Sequence, residues 1–257
     1  MRIWIDKLRR DHTLAPDAYR QLLATEDADA ADYLHRQARE VALSQFGHDI
    51  YIRGLIEVGN RCRNNCLYCG IRAANPSVAR YELKEEILDC CRHGHELGFR
   101  TFVLQGGERR GRYRMWEDVV STIRATWPDC AITLSLGEMT REEYEGLRLA
   151  GADRYLLRHE TYNADHYRML HPEQMSRENR LQCLQWLKET GYQTGTGIMV
   201  GSPGQTIDCL VEDILFIGRF RPQMIGIGPF IPQHDTPLGQ CKAGSADLTL
   251  RLLSIFR

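Results

Sequence analysis

The sequence of 257 residues lacks a charge imbalance: 33 Lys and Arg stand against 34 Asp and Glu, a formal net charge of −1, mixed along the whole chain. A general nucleic-acid binder would show a basic excess or stripe, so that class is excluded. No long apolar run follows the charged segment Met1 to Lys7. Neither a signal peptide nor a membrane span is therefore readable, and the expected compartment is the cytoplasm. A phosphate-binding loop is missing as well. Gly195, Gly197, Gly201 and Gly204 cluster without the lysine of a P-loop or the spacing of a dinucleotide fingerprint.

Cysteine is not scarce. There are nine, and a reducing compartment argues against disulfides. Cys90, Cys91, Cys130, Cys183, Cys209 and Cys241 show no tight mutual spacing beyond the adjacent pair, and read as buried small side chains or incidental thiols. Cys62, Cys66 and Cys69 differ. They fall at C-x3-C-x2-C, just after the strand-like stretch 51–58. A closed structural metal site takes four ligands, whereas a cubane iron–sulfur cluster held by three cysteines leaves one iron open to another ligand. A zinc site borrowing a fourth ligand such as His48 is the alternative.

Residues 1–50 form a helical extension, with Pro16 in a first helical turn and a second helix over 29–46 stopped by Gly47; the extension is expected as a lid on one end of a barrel. Residues 51–257 then alternate strand-like runs (51–58, 101–105, 131–136, 154–159, 193–200, 224–229) with helical patterns around 84–97, 115–126, 140–149, 177–190, 205–219 and 246–256. This alternation predicts an α/β fold, a TIM-type (βα) barrel with six βα units of an expected eight. The apolar face of the last helix wants a following strand and helix to cover it, so the chain is expected to be truncated at its C-terminus rather than to be an open six-unit barrel.

Functional groups of such barrels gather at the C-terminal strand ends. The cysteine loop follows strand 1, Gln105-Gly106-Gly107-Glu108 ends strand 2, Leu136-Gly137-Glu138 ends strand 3 and Arg158-His159-Glu160 ends strand 4. Side chains alternate across a strand, so Arg154, Leu156, Arg158 and Glu160 share one face and Tyr155, Leu157 and His159 the other. Tyr and Leu suit the helix-covered face, which directs both arginines into the lumen. Glu160 satisfies only part of their charge, and an anionic ligand is expected there; Thr133 and Ser135 add hydroxyls. Internal ion pairing without a ligand is the alternative. His93 and His95, beside Glu85, Glu86 and Glu96, read as a solvated helix face.

The cysteine loop, its aromatic Tyr68 before the third cysteine, and the Gly-Gly-Glu segment resemble the radical S-adenosylmethionine (SAM) superfamily. Arg61 to Arg72, Thr133 to Glu138, Asp153 to Thr161 and Gly226 to Pro232 resemble more narrowly its HydE family of [FeFe]-hydrogenase maturases, in the biotin synthase-like group. The resemblance implies a [4Fe–4S] cluster on Cys62, Cys66 and Cys69, SAM contacts from Tyr68, Gln105, Gly106, Gly107, Glu108, Glu160 and Arg180, and substrate-side roles for Thr133, Arg154, Arg158 and Met224. The glycines after 195 would allow close backbone approach to SAM. It further implies reductive cleavage of SAM to a 5′-deoxyadenosyl radical. The radical would act on a small anionic iron–cysteine complex carrying carbon monoxide and cyanide, in assembly of the diiron subcluster, with sister maturases and an external electron donor as partners and neither nucleic acid nor membrane. A biotin synthase-like or pyrrolysine-pathway enzyme, or a non-catalytic cluster scaffold, are the alternatives.

Overall fold

The computed structural model describes residues 1–83 and 85–257. Three helices, α1 (Arg2–Asp11), α2 (Pro16–Ala24) and α3 (Ala28–Phe46), precede six βα units. The units comprise β1 (Gly54–Gly59), α4 (Glu85–Glu96), β2 (Thr101–Gly106), α5 (Tyr113–Thr126), β3 (Ala131–Ser135), α6 (Arg141–Leu149), β4 (Arg154–Leu156), α7 (Ala164–Leu170), α8 (Arg177–Glu189), β5 (Gln193–Val200), α9 (Ile207–Phe220), β6 (Met224–Pro229) and α10 (Ala246–Phe256). The strands form one sheet in sequence order, every neighbouring pair parallel. This is a TIM-like α/β sheet. The helix expected from residue 84 begins at Glu85, its first position lying outside the described residues.

Period-two alternation separates the faces. Ile56, Val58, Phe102, Leu104, Ile132, Leu134, Tyr155 and Leu157 point outward into one apolar core shared with α4, α5, α6 and α8. Each fully buried Leu or Ile there contributes about 1.5–3 kcal/mol. Ile198 and Val200 of β5 do the same under α9 and α10. Cys91, Cys130, Cys183 and Cys209 are buried as expected; Cys90 is exposed.

The N-terminal helices are a flank and not a lid. Leu22 and Leu34 join the α9 and α10 core, with α2 against α9 and α3 against α10. Asp27 caps α3 by accepting from the Ala30 amide, and Gly47 ends it at φ 63°. On α10, Leu252 and Ile255 are buried against this flank while Leu250 and Leu253 remain exposed. β1 starts three residues later than expected, because Tyr51, Ile52 and Arg53 stay exposed. β4 ends three residues earlier, at a turn described below. α7 has no counterpart in the sequence reading.

The lumen face of β5 and β6 is nearly bare. Gly195, Gly197, Gly226 and Gly228 line it, and a Cβ on Gly197 would collide with the Gly226 carbonyl, its carbon only 2.8 Å away. Gly195 and Gly197 thus have a strand-packing cause of their own. Gly197→Ala should therefore cost about 1–3 kcal/mol by overpacking, read as a fall in urea midpoint at unchanged m-value. Gly218→Ala, inside α9 with nothing within 4 Å of the new carbon, should gain up to about 1 kcal/mol.

Candidate active site

The cysteine loop is built onto strand 2. A Cβ on Gly107 would collide with the Arg61 carbonyl and lie 2.9 Å from Cys62 Cα, so glycine is what lets the loop sit down. The Arg63 amide donates to the Glu108 carbonyl (2.9 Å) and Arg63 Nε to Glu108 Oε1 (2.7 Å). Arg80 closes the far side, its guanidinium donating to the carbonyls of Asn60, Ile71, Arg72 and Asn75 at 2.6–3.1 Å. Asn64 N–H approaches Cys62 Sγ at 3.5 Å, and Cys66 Sγ lies 3.6 Å from Met175 Sδ. Burial, with Cys69 adding, pushes the Cys66 thiol up to about 12. Metal binding here must therefore displace protons.

A charged layer surrounds the loop. Arg180 Nε donates to Glu138 Oε1 (2.7 Å) and Arg180 Nη1 to the Arg158 carbonyl (3.1 Å), with Arg180 and Glu138 side chains only 12% and 9% exposed. Asn179 also donates to Glu138. Glu160 stands at φ 64°, a left-handed conformation that costs a non-glycine residue about 1–3 kcal/mol and concentrates at functional sites. Its Oε2 is 3.2 Å from Arg158 Nη2. Both Glu108 oxygens are engaged, by Arg63 and by the Glu138 amide (2.9 Å). The Glu108 carboxylate thus also ties the loop to strand 3, while the backbone of the Gly-Gly-Glu segment stands beside the cysteines.

Deeper in the lumen, Thr133 is buried with no partner for its hydroxyl, and Arg158 Nε is likewise unpartnered. Gln105 Nε2 meets Glu57 Oε1 at 3.2 Å. Arg154 and Met224 start their strands at the end opposite the cysteines. There Arg154 Nε bonds Gln193 Oε1 (2.8 Å) and Met224 Sδ lies 3.6 Å from Arg53 Nη1. The two arginines share the inner face as expected but not one pocket, because they occupy different levels. Arg158 Nη2 also donates to the Ile198 carbonyl at 2.6 Å.

The Radical SAM superfamily profile matches residues 56–217, which include this whole layer. The chain belongs to the radical SAM superfamily and is HydE-like. It is 45% identical over 98% of its length, and 72% of the relative's, to the [FeFe] hydrogenase maturase subunit HydE of Thermotoga maritima. Its fold matches methylornithine synthase (PylB) at TM-score 0.88 and 26% identity, over 99% of this chain and 77% of the other. HydG, a maturase of the [FeFe]-hydrogenase, matches at TM-score 0.86 and 22% identity over 99% and 59%, a likeness of fold.

A radical SAM enzyme carries a [4Fe–4S] cluster and SAM, and the donor set fits. Three thiolates on one zinc would lie about 3.8 Å apart, from a Zn–S bond of about 2.3 Å. Among the described residues the three loop sulfurs are not all within 4.8 Å of one another, and exposed His48 joins no ligand group. The one such group, His95, Asp129 and Cys130, has its carboxylate paired with Arg100 at 2.8 Å. Sequence reasoning missed Glu138 as the partner of Arg180, Arg80 as the loop clamp, and Met175 and His171 beside the cysteines. Glu138, Met175 and His171 depend on contacts between distant segments, and Arg80 on an irregular loop fold that no periodicity marks; only the strand-end position of Glu138 gave a signal.

His171 backs Tyr68, with Nε2 3.4 Å from the phenol oxygen and the rings edge-on at 5.6 Å. Burial lowers its pKa from 6.5 to about 4. The unfolded chain therefore binds the extra proton first as pH falls. Stability conferred by neutral His171 is complete above pH 6.5 and declines toward pH 4 with a slope approaching about 1.4 kcal/mol per pH unit. Urea midpoints at pH 7 and 5 should separate in the parent, and His171→Gln should narrow that separation.

Proposed function

We propose that this chain is a HydE-type maturase that binds SAM in the upper layer and a small anionic iron–cysteine complex in the lumen, in assembly of the hydrogenase diiron subcluster. The observation that carries the reading is the 45% identity to HydE along 98% of the chain. The unpartnered Thr133 hydroxyl and Arg158 Nε, buried in a lumen bare on its β5 and β6 side, support it. Cluster and SAM together supply a 5′-deoxyadenosyl radical. The protein's work is placement and exclusion of water.

Glu160 offers acceptors for the ribose hydroxyls or ammonium of SAM, and Arg180, with Nε and Nη1 already engaged, would give the SAM carboxylate its Nη2. Tyr68 joins Leu170, Met199, Phe230 and Leu238 in an apolar wall beside the cysteines. Thr133 and Arg158 present donors to an anion, and Arg154 and Met224 form the floor. The reading places sister maturases upstream and downstream of the lumen complex, and an electron donor at the cysteine face.

The likeness of fold to methylornithine synthase keeps a second reading, in which the lumen takes an amino acid. Binding of an iron–cysteine synthon, methylated lysine and dethiobiotin to the reconstituted enzyme separates the two; preference for either organic compound defeats the maturase reading. Cluster formation without 5′-deoxyadenosine on reduction with SAM would make the chain a scaffold. A sharper outcome concerns Thr133. Its buried, unpartnered hydroxyl costs the free protein about 1–3 kcal/mol, so Thr133→Val should raise the melting temperature of the cluster-loaded enzyme while weakening the synthon about tenfold, the trade of stability for a binding site.

A further inference from the structure

Glu160 occupies a strained position, and the side chains that flank and brace it lie on the opposite side of the sheet. The Thr161 amide donates to the His159 carbonyl (2.8 Å) across Glu160 at φ 64°. This is a three-residue γ-turn of the positive-φ kind, which a side-chain-bearing residue adopts only when its surroundings compel it. On the lumen side the carboxylate meets Arg158 in an ion pair without hydrogen-bond geometry, too little to fix the backbone.

The Glu160 backbone is tied to β5, its amide donating to the Gly197 carbonyl (3.0 Å) and its carbonyl accepting from the Met199 amide (3.2 Å), and the outer face adds a second constraint on either side of it. His159 and Asp213 of α9 are both fully buried. Asp213 Oδ1 takes His159 Nε2 at 3.1 Å and the Tyr162 amide at 2.5 Å. One carboxylate oxygen thus grips the residue before Glu160 and the residue two after it. The Thr196 hydroxyl donates to the Leu157 carbonyl (3.0 Å), so toward His159 Nδ1, 2.8 Å away, it can only accept. Nδ1 therefore carries a proton, and the Nε2 to Oδ1 contact holds one more, whichever partner bears it. Phe216 packs edge-on against His159 and stacks on Tyr162, keeping water out.

We infer that Asp213, acting through His159 and the Tyr162 amide, is the positioning residue that holds Glu160 at the apex of this turn and so presets its carboxylate for SAM. The inference rests on the reading of Glu160 as a SAM contact. Asp213→Asn keeps the shape and can still accept from Tyr162. It requires a neutral imidazole protonated on Nε2, which leaves Nδ1 facing a hydroxyl whose proton is already committed.

The test is a double-mutant cycle in SAM affinity, by equilibrium dialysis of labelled SAM against the cluster-loaded enzyme, with iron content confirming equal loading. Asp213→Asn should weaken SAM about tenfold in the parent and change it by less than about twofold in a Glu160→Ala background, because the residue acts through Glu160. Unchanged affinity in the parent, or an equal loss in both backgrounds, overturns the inference; the latter is what a merely structural role predicts. If Asp213→Asn does not fold, Thr196→Val, which removes the acceptor for Nδ1, enters the same cycle under the same criteria. Glu160→Ala binding SAM like the parent would overturn the reading of Glu160 itself, and the inference with it.

Discussion

The seat of the cysteine loop on Gly107 and Glu108 is the contact on which the rest of the site depends. Three thiols spread over an eight-residue free loop would pay a large entropic cost to converge on one cluster. Here the loop is held before any metal arrives: by the missing Cβ at Gly107, by Arg63 on Glu108, and by Arg80 on four carbonyls. Glu108 then passes the constraint on, because its second oxygen accepts from Glu138, which pairs with Arg180, which bonds the Arg158 carbonyl. Strands 2, 3 and 4 are thereby tied together at the level of the cysteines.

Below that tied layer the lumen is deliberately incomplete. Thr133 and Arg158 keep unpartnered polar atoms, and Gly228 on β6 leaves open the space where a side chain would stand. Glu160, between the layers, is kept in a conformation its own chain would not choose. A barrel interior optimised for stability would fill this volume with branched apolar side chains. Rigid groups above and unsatisfied donors below instead describe the interior of an enzyme that has given up stability for a binding site.

Much of this was legible in the sequence. Alternation on strand 4 assigned Arg154 and Arg158 to the lumen face correctly, because Tyr155 and Leu157 are unambiguous partners for helices. The cysteine spacing marked the loop, and the glycines and apolar periods bounded most helices to within two or three residues. Other features were hidden for physical reasons. The early end of β4 goes with a γ-turn at Glu160 whose flanks are bonded by Asp213, more than fifty residues away. α7 is short and rests on an Asn163 cap that accepts from the His166 amide, too little periodicity to announce a helix. Glu108 reads as a ligand by its place beside two glycines; its carboxylate also pairs with Arg63, and no local pattern records that pairing.

The loop's seat, and not only its three thiols, makes the cluster site. Gly107→Ala leaves Cys62, Cys66 and Cys69 in place and adds one methyl group where the Arg61 carbonyl now lies. Iron and sulfide content after anaerobic reconstitution tests it directly. The account predicts a folded protein that retains well under half of the parent's cluster; loading equal to the parent, with normal SAM cleavage, would contradict it.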